Sequence, residues 1–480
     1  MNIIRVTFFA LGALVFVSSC SEEETNPDVY EWEDGQIYFK TSLSDITSSR
    51  ANDMTLERLE SFQVTCFNTG DIKKDALGFV SPYFEDATFI RSVSSSSGPV
   101  YISSPAEETR NWPQNDGQLK FFAFSPSRTV MATDNKAVAN QTGASFFNLI
   151  NTTTDISTLD GIGYSLSQIR VNPDISKQFD FVTADASGQR YKDFINSIDL
   201  AFSHQMAQVE LHAWGASEKY DFEIAGVRIG NPVVEGTFVF SDASAADNRW
   251  LTEENPVKDA VEYLYGNSQL SPDNSSTGDK IYNINHAEHN TSGNAASIMG
   301  LGGCALVIPT VSSKWAGLDD PNISFIPYST DKMYFSVLMR VSDSASGEQL
   351  YPYNGNVYGM TVVHYAVDKS GNILTRLYPG DNKGEFYSDM ALTIPYIAGE
   401  GIEIKEFGWA AVPVDADWKA GKRYIYTLNY TEGIGVHDPS DPKPGKPIIG
   451  KASISWGVNV TDWENGSNTD ISVPKKIENN

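Results

Sequence analysis

The pattern that most restricts this chain is alternation of apolar side chains at every second position over short runs. Phe62, Val64 and Cys66 fall on one face of one run, Leu119, Phe121 and Ala123 on one face of another, and Val209, Leu211 and Ala213 on a third. Phe335, Val337, Met339 and Val341 alternate with Tyr334, Ser336, Leu338 and Arg340. Tyr424, Tyr426, Leu428 and Tyr430 form a stripe opposite Ile425 and Thr427, and Ile454, Trp456, Val458 and Val460 alternate with Ser455, Gly457, Asn459 and Thr461. Successive side chains on a strand point to opposite faces, so a period of two marks half-buried β-structure. Gly, Pro, Asn, Asp and Ser between the runs supply turns. Helical periodicity is scarce. Its best instance is 257–265, where Asn255-Pro256 sets a proline near the first turn and predicts a short helix. Many strands and few helices point to an all-β fold of antiparallel β-sandwiches.

The N-terminus has a different grammar. Arg5 precedes an apolar or small-residue stretch from Val6 to Val17, followed by Ser18-Ser19-Cys20. A membrane-spanning helix needs about 20 apolar residues, so this stretch reads as an export signal ending at small residues. The pattern resembles the lipobox of bacterial lipoproteins, which implies cleavage before Cys20, a lipid on Cys20 (palmitate among its acyl chains) and attachment to the outer membrane. Glu22-Glu23-Glu24 resembles the acidic tag that routes such proteins to the cell surface, and reads equally as a solvated linker.

The bulk composition narrows the partners. The chain carries 61 acidic against 35 basic residues, a formal charge of −26. Such a polyanion is repelled by nucleic acid and by anionic lipid headgroups, so neither is an expected partner. Beyond Cys20, the cysteines Cys66 and Cys304 sit inside apolar stretches far apart and read as small buried hydrophobes. A disulfide between them stays open but unsupported.

Residues 21–34 read as a tether, and 36–43 as a first strand with Ile37, Phe39 and Leu43 on one face. A Ser/Thr/Asn-rich stretch over 45–55 follows. Ser92 to Ser97 and the Asn/Ser-rich 267–297 read as surface loops, and the proline-rich 438–447 as a stiff connector before the last strand.

Several spaced motifs then resemble one family, the fimbrillins, which are subunits of type V pili. Trp112-Pro113 followed by Leu119-Lys-Phe-Phe-Ala-Phe-Ser-Pro126 is similar to a hallmark of their N-terminal domain, and Gln178-Phe-Asp-Phe-Val-Thr-Ala184 to the strand closing it. Ile198-Asp-Leu-Ala-Phe-Ser-His204 running into Gln208-Val-Glu-Leu211 resembles the opening of their C-terminal domain. Gly408-Trp-Ala-Ala-Val-Pro413, the run from Trp418 to Tyr426 and the run from Ile454 to Trp463 resemble late C-terminal signatures. The resemblance implies two tandem transthyretin-like β-sandwiches. The expected organisation is a signal peptide over 1–19, a lipidated tether and first strand over 20–50 forming a propeptide, an N-terminal sandwich over 51–192 and a C-terminal sandwich over 193–480.

The resemblance also implies assembly by donor-strand exchange with other pilin subunits. An arginine-specific protease cuts just past the first strand, and a neighbour's strand fills the groove left behind. Arg50-Ala51 lies in that place among small and polar residues, with Arg58 as the lesser alternative. On this reading Ile37, Phe39 and Leu43 plug the groove before cleavage. Ile454, Trp456, Val458 and Val460 form the expected donor strand, with Ile471 and Val473 as a second, shorter candidate. Either C-terminal segment could instead complete its own subunit's sheet. The alternative function is a monomeric surface lipoprotein that keeps its first strand and binds host glycan or protein through its loops.

Catalytic groupings are thin. His286-Ala-Glu-His289 lacks the spacing of a zinc-protease helix and reads as a loop rather than a metal site. His204 reads as a hydrogen-bonded core or junction residue. Asp319-Asp320 reads as a solvated turn, with weak calcium binding left open. No nucleophile elbow, phosphate loop or Cys-x-x-Cys pair occurs in the sequence. No enzyme activity, metal or cofactor is therefore expected.

Overall fold

A computed structural model describes residues 35–43, 54–68, 70–71, 81–95, 98–105, 107–114, 117–127, 145–146, 164–189, 197–240, 249–251, 256–266, 280–284, 295–299, 303–315, 332–353, 361–441, 444–449, 454–462 and 468–469. The alternating runs become strands and the chain is all-β, with sheets layered as sandwiches. The 3-10 turn Ile175–Lys177, capped by the Asp174 carboxylate accepting from the Ser176 N–H at 3.0 Å, is the only helical element among the described residues.

The first sheet closes on itself. Its strands are β1 (Phe39–Leu43), β2 (Ser61–Asn68), β3 (Phe84–Ser95), β4 (Gly98–Ser103), β5 (Leu119–Ser125), β6 (Val182–Gln189) and β7 (Ile198–His204), in the barrel order β1-β4-β3-β2-β5-β6-β7. Inward-facing Phe62, Val64, Cys66, Phe121 and Ala123 fill the barrel with Ile37, Phe39 and Leu43. The opposite face of β2 and β5 is aromatic as well. Phe67, Phe122 and Phe124 belong to a second, larger core shared with Tyr164 and Phe240, whose strands Tyr164–Arg170 and Glu235–Phe240 pair with each other. With both faces apolar, the barrel is docked through one wall rather than standing alone.

The larger core lies between two sheets. One contains β8 (Ala207–Trp214) and the other β9 (Tyr220–Gly230), β10 (Tyr334–Asp343), β11 (Val362–Asp368), β12 (Ile373–Pro379) and β13 (Ile402–Pro413). Beside β8 run β14 (Lys422–Asn429), β15 (Ser455–Asp462) and the two-residue β16 (Asn468–Thr469). The six-stranded and ten-stranded sheets meet through contacts such as Phe335 against Tyr426, ring centroids 4.8 Å apart.

Five sequence expectations change. The predicted helix over 257–265 is instead the strand Val261–Leu264, antiparallel to β9, because Val261 and Tyr263 alternate into the core. The Ser92–Ser97 loop is largely strand: β3 runs to Ser95 and pairs it with Gly98. Within 267–297, Tyr282–Ile284 pairs with β9 and Ala296–Ser297 with β8. The proline-rich connector is packed rather than free, since Asp438 and Asp441 are buried. Arg228 stacks over Trp409 at 4.1 Å and reaches Asp438 at 3.2 Å and Glu262 at 2.6 Å. A half-buried arginine recruits carboxylates because its charge, partly withdrawn from water, is costly to leave unpaired. Finally, Ile198–His204, expected to open the second unit, pairs with β6 and β1 in the barrel, while Tyr164–Arg170, expected in the first unit, pairs with Glu235–Phe240. The elements therefore interleave across residue 192.

Candidate functional site: the seam closed by the first strand

β1 is short, yet it closes the barrel. It pairs antiparallel with β4 through Phe39↔Tyr101 and Lys40↔Val100, and parallel with β7 from Phe39↔Ile198 to Leu43↔Phe202. The Ile198 N–H donates to Tyr38 O at 3.0 Å and the Ile37 N–H to Arg110 O at 2.9 Å, extending the seam by a turn. Alternation decides which side chains enter. Ile37, Phe39, Thr41 and Leu43 are buried, whereas Lys40 is half-buried and Ser42 exposed.

Phe39 is the centre of the seam. Its ring meets Phe89 at 4.7 Å, Phe121 at 5.3 Å and Phe62 at 5.9 Å, all edge-to-face, the favourable arrangement for ring quadrupoles. Burial of each such side chain is worth about 1.5–3 kcal/mol. Without β1, the edges of β4 and β7 would be unpaired and a slot lined by Phe62, Phe89, Tyr101, Phe121 and Phe202 would face water. Such an exposed edge and apolar surface invite a replacement strand. Thr41 spoils the apolar face: its Oγ1 is buried without a hydrogen-bond partner among the described residues.

Both chain ends leading away from the seam are fastened. Leu43 is held by pairing with Phe202. Eleven residues on, at 54, the Met54 N–H donates to Asp180 Oδ2 at 2.9 Å. Asp180 Oδ2 also lies 2.7 Å from Nδ1 of His204, at the end of β7, and both side chains are fully buried. His204 is therefore the hydrogen-bonded core residue expected from the sequence. Asp180 was missed, because its role depends on two partners that only folding brings near. Thr41 was missed although its i+2 spacing from Phe39 was legible. Arg58 sits exposed in a turn, but the following Leu59 is buried, with its N–H bound to Thr55 O at 2.9 Å.

The expected donor residues lie elsewhere. Ile454 precedes β15, and Trp456, Val458 and Val460 lie on it, paired with β14 from Lys422↔Asp462 to Asn429↔Ser455. Trp456, Val458 and Val460, with Tyr424, Tyr426 and Val311, border an apolar groove of about 500 Å³. Cys66 and Cys304 are buried thiols outside any disulfide, one in each core; the Gln208 side-chain amide donates to Cys304 Sγ at 3.0 Å, and burial pushes the Cys66 thiol well up. Cys20, Arg50, Ala51, His286, His289, Asp319, Asp320, Ile471 and Val473 lie outside the described residues.

A second surface stands out. Met390, Leu392, Ile394 and Ile397 are 81%, 42%, 57% and 90% exposed on the loop after β12. The loop is well held. Asp389 accepts from the Thr393 hydroxyl at 2.7 Å and the Ile394 N–H at 2.7 Å, contacts that hold its carboxyl below the usual range. Leu392 adopts the left-handed region at φ 55°, costly for a side chain of this shape.

Comparison with known proteins completes the description. The chain is similar to a fimbrial protein of Bacteroides vulgatus at 11% identity and a TM-score of 0.44, covering 90% of this chain and 100% of that one. It is also similar to the tip fimbrial protein Mfa3 of Porphyromonas gingivalis, studied with a C-terminal truncation, at 11% identity and a TM-score of 0.28, covering 89% and 100%. No curated protein sequence matches. The fimbrillin-like family profile matches residues 49–292, more than half of the 480 residues, and on that match the chain belongs to the fimbrillin-like family.

Proposed function

We propose that this chain is a structural or adhesive subunit of a cell-surface type V pilus. It is exported as a lipoprotein acylated on Cys20, cut between Arg50 and Ala51 by an arginine-specific protease, and polymerised by donor-strand exchange. The observation carrying this reading is that β1 alone bridges β4 and β7, so one cut beyond Leu43 frees the strand that closes the barrel. The fastening of Met54 to Asp180 supports it too, since the barrel side of the cut stays anchored after the strand leaves. The family match begins at residue 49 and leaves β1 outside it. For Ile454, Trp456, Val458 and Val460 to act as donor, β15 would first have to leave its ladder with β14.

The test is to express the precursor with Cys20→Ser, treat it with an arginine-specific protease and look for heat-resistant multimers. Multimers starting at Ala51, and absent from the Arg50→Ala precursor, are expected. A protein cleaved at Arg50 that stays monomeric would sink the reading.

The exposed loop after β12 favours a second reading, a surface lipoprotein that binds a host partner while keeping β1. Its side chains are aliphatic rather than aromatic, which suits an apolar pocket on a protein better than a sugar face. Full-length protein with its lipid still on Cys20, recovered from adherent cells, would favour this version.

A further inference from the structure

Two apolar features of the surface, one projecting and one recessed, lie at opposite ends of a single strand. The projecting one is the loop after β12, whose Met390, Leu392, Ile394 and Ile397 are between 42% and 90% exposed. It runs through Gly399, whose carbonyl accepts from the Ile402 N–H at 3.2 Å, into the first residue of β13. The recessed one is the groove beside β15. Its lining includes Asp415, Ala416 and Asp417, which follow the last residue of β13, Pro413, almost at once. The twelve residues of β13 span roughly 35 Å. A chain whose β13 stays in its sheet therefore cannot seat its own loop in its own groove.

The two features suit each other chemically. The loop presents aliphatic side chains from a backbone that is already ordered. The Ser388 N–H donates to Ile394 O at 3.0 Å and the Tyr396 N–H to Phe386 O at 2.7 Å, so docking would freeze little that is free. The groove holds about 500 Å³, inside the range of about 300–1,000 Å³ typical of sites that enclose small apolar groups. Val311 stands at its rim, 74% exposed, and Val458 and Val460 in its wall are half-buried, so the wall gains from leaving water as the loop does. The four loop side chains carry roughly 500 Å² of apolar surface, toward the upper end of what a monomer leaves exposed. A partner covering them buries about 1,000 Å² in total, the lower limit of a specific interface.

We propose that the occupant of the groove is a second copy of this chain, which inserts the loop after β12. Loop and groove are different patches, so the contact is heterologous: each copy gives a loop to one neighbour and a groove to another. Such a contact adds subunits beyond a pair. It goes beyond the maturation reading, because it needs no cut at Arg50 and leaves β1 in the barrel. Its size makes it weak and reversible, unlike a heat-resistant strand exchange.

A complementation experiment on uncut protein tests it. The precursor with Cys20→Ser and Arg50→Ala is sedimented over the micromolar range at 0.15 M salt, where charge repulsion is screened within about 8 Å. Its weight-average mass should rise past the dimer with concentration and fall back on dilution. A loop variant carries Met390→Asp with Ile397→Asp, and a groove variant carries Val311→Asp. These positions are exposed, so both variants should melt as the parent does. Each should associate at least about tenfold more weakly, since a carboxylate pressed into an apolar contact is costly. Mixed together, the two should form one-to-one pairs and nothing longer, because only one intact loop meets one intact groove. A parent that stays monomeric or stops at a dimer would overturn the proposal. So would a loop variant that associates like the parent, or a mixture that stays monomeric. Because every protein in the test is uncut, such a failure leaves strand exchange after cleavage untouched.

Discussion

Individual residues at the seam act through burial and through unmet polar groups. Phe39→Ala removes the ring contacted by Phe62, Phe89 and Phe121, and should cost the uncut precursor about 3–5 kcal/mol in urea unfolding. Thr41→Val should instead stabilise it by roughly 1 kcal/mol, because a buried hydroxyl without a partner is replaced by a methyl. A stabilising Phe39→Ala would show that β1 is not seated as described. Asp441 tests the packed 438–447 segment. Burial, then the neighbouring Asp438, raises its carboxyl above the ordinary value, with His437 acting in the opposite sense. The folded state therefore holds this proton to higher pH than the unfolded chain does. Its contribution is most favourable below the ordinary carboxylate pKa and is lost as pH rises through the raised folded value. Asp441→Asn should flatten that part of the stability-versus-pH curve, read by urea unfolding from about pH 4 upward. An unchanged slope would exclude Asp441 as its source.

At the scale of elements, β1 is a replaceable part. It has few residues, it sits between strands distant in sequence, and its partners β4 and β7 keep their other neighbours without it. A synthetic peptide with the sequence of residues 35–44 should refill the seam of cut subunits and suppress multimer formation. The same peptide with Phe39→Asp should not. Equal inhibition by both would show that the peptide acts elsewhere. Much of this element was legible in advance: the alternation of Ile37, Phe39 and Leu43 marked a strand with one apolar face. The helix expected over 257–265 failed because a proline near an expected first turn is a weak local cue, and the alternation of Val261 and Tyr263 into the core outweighed it. The 438–447 segment was misread because prolines signal stiffness but cannot show that Asp438 lies against Arg228.

Across the whole molecule, charge opposes assembly while exposed apolar surface favours it. The full chain carries −26, and loss of residues 1–50, with eight acidic and three basic residues, leaves −21, so cut subunits repel one another over a screening length of about 30 Å at 0.01 M salt and about 8 Å at 0.15 M. Multimer formation by cut subunits, followed by light scattering, should therefore accelerate as salt rises across that range. A rate indifferent to salt would mean that local contacts, not net charge, limit encounter. The all-β class was determined by the sequence itself, because alternation is a local property set by which side of a strand meets water. So were the apolar face of β1 and the buried character of Cys66 and Cys304. Only the tertiary structure decided which strands meet. β1 lies parallel to β7, more than 150 residues away in the chain, and the aromatic outer face of β2 and β5 joins the barrel to the larger core. Strand hydrogen bonds are made between segments rather than within them, so a sequence can show that an edge needs a partner but not which segment supplies it.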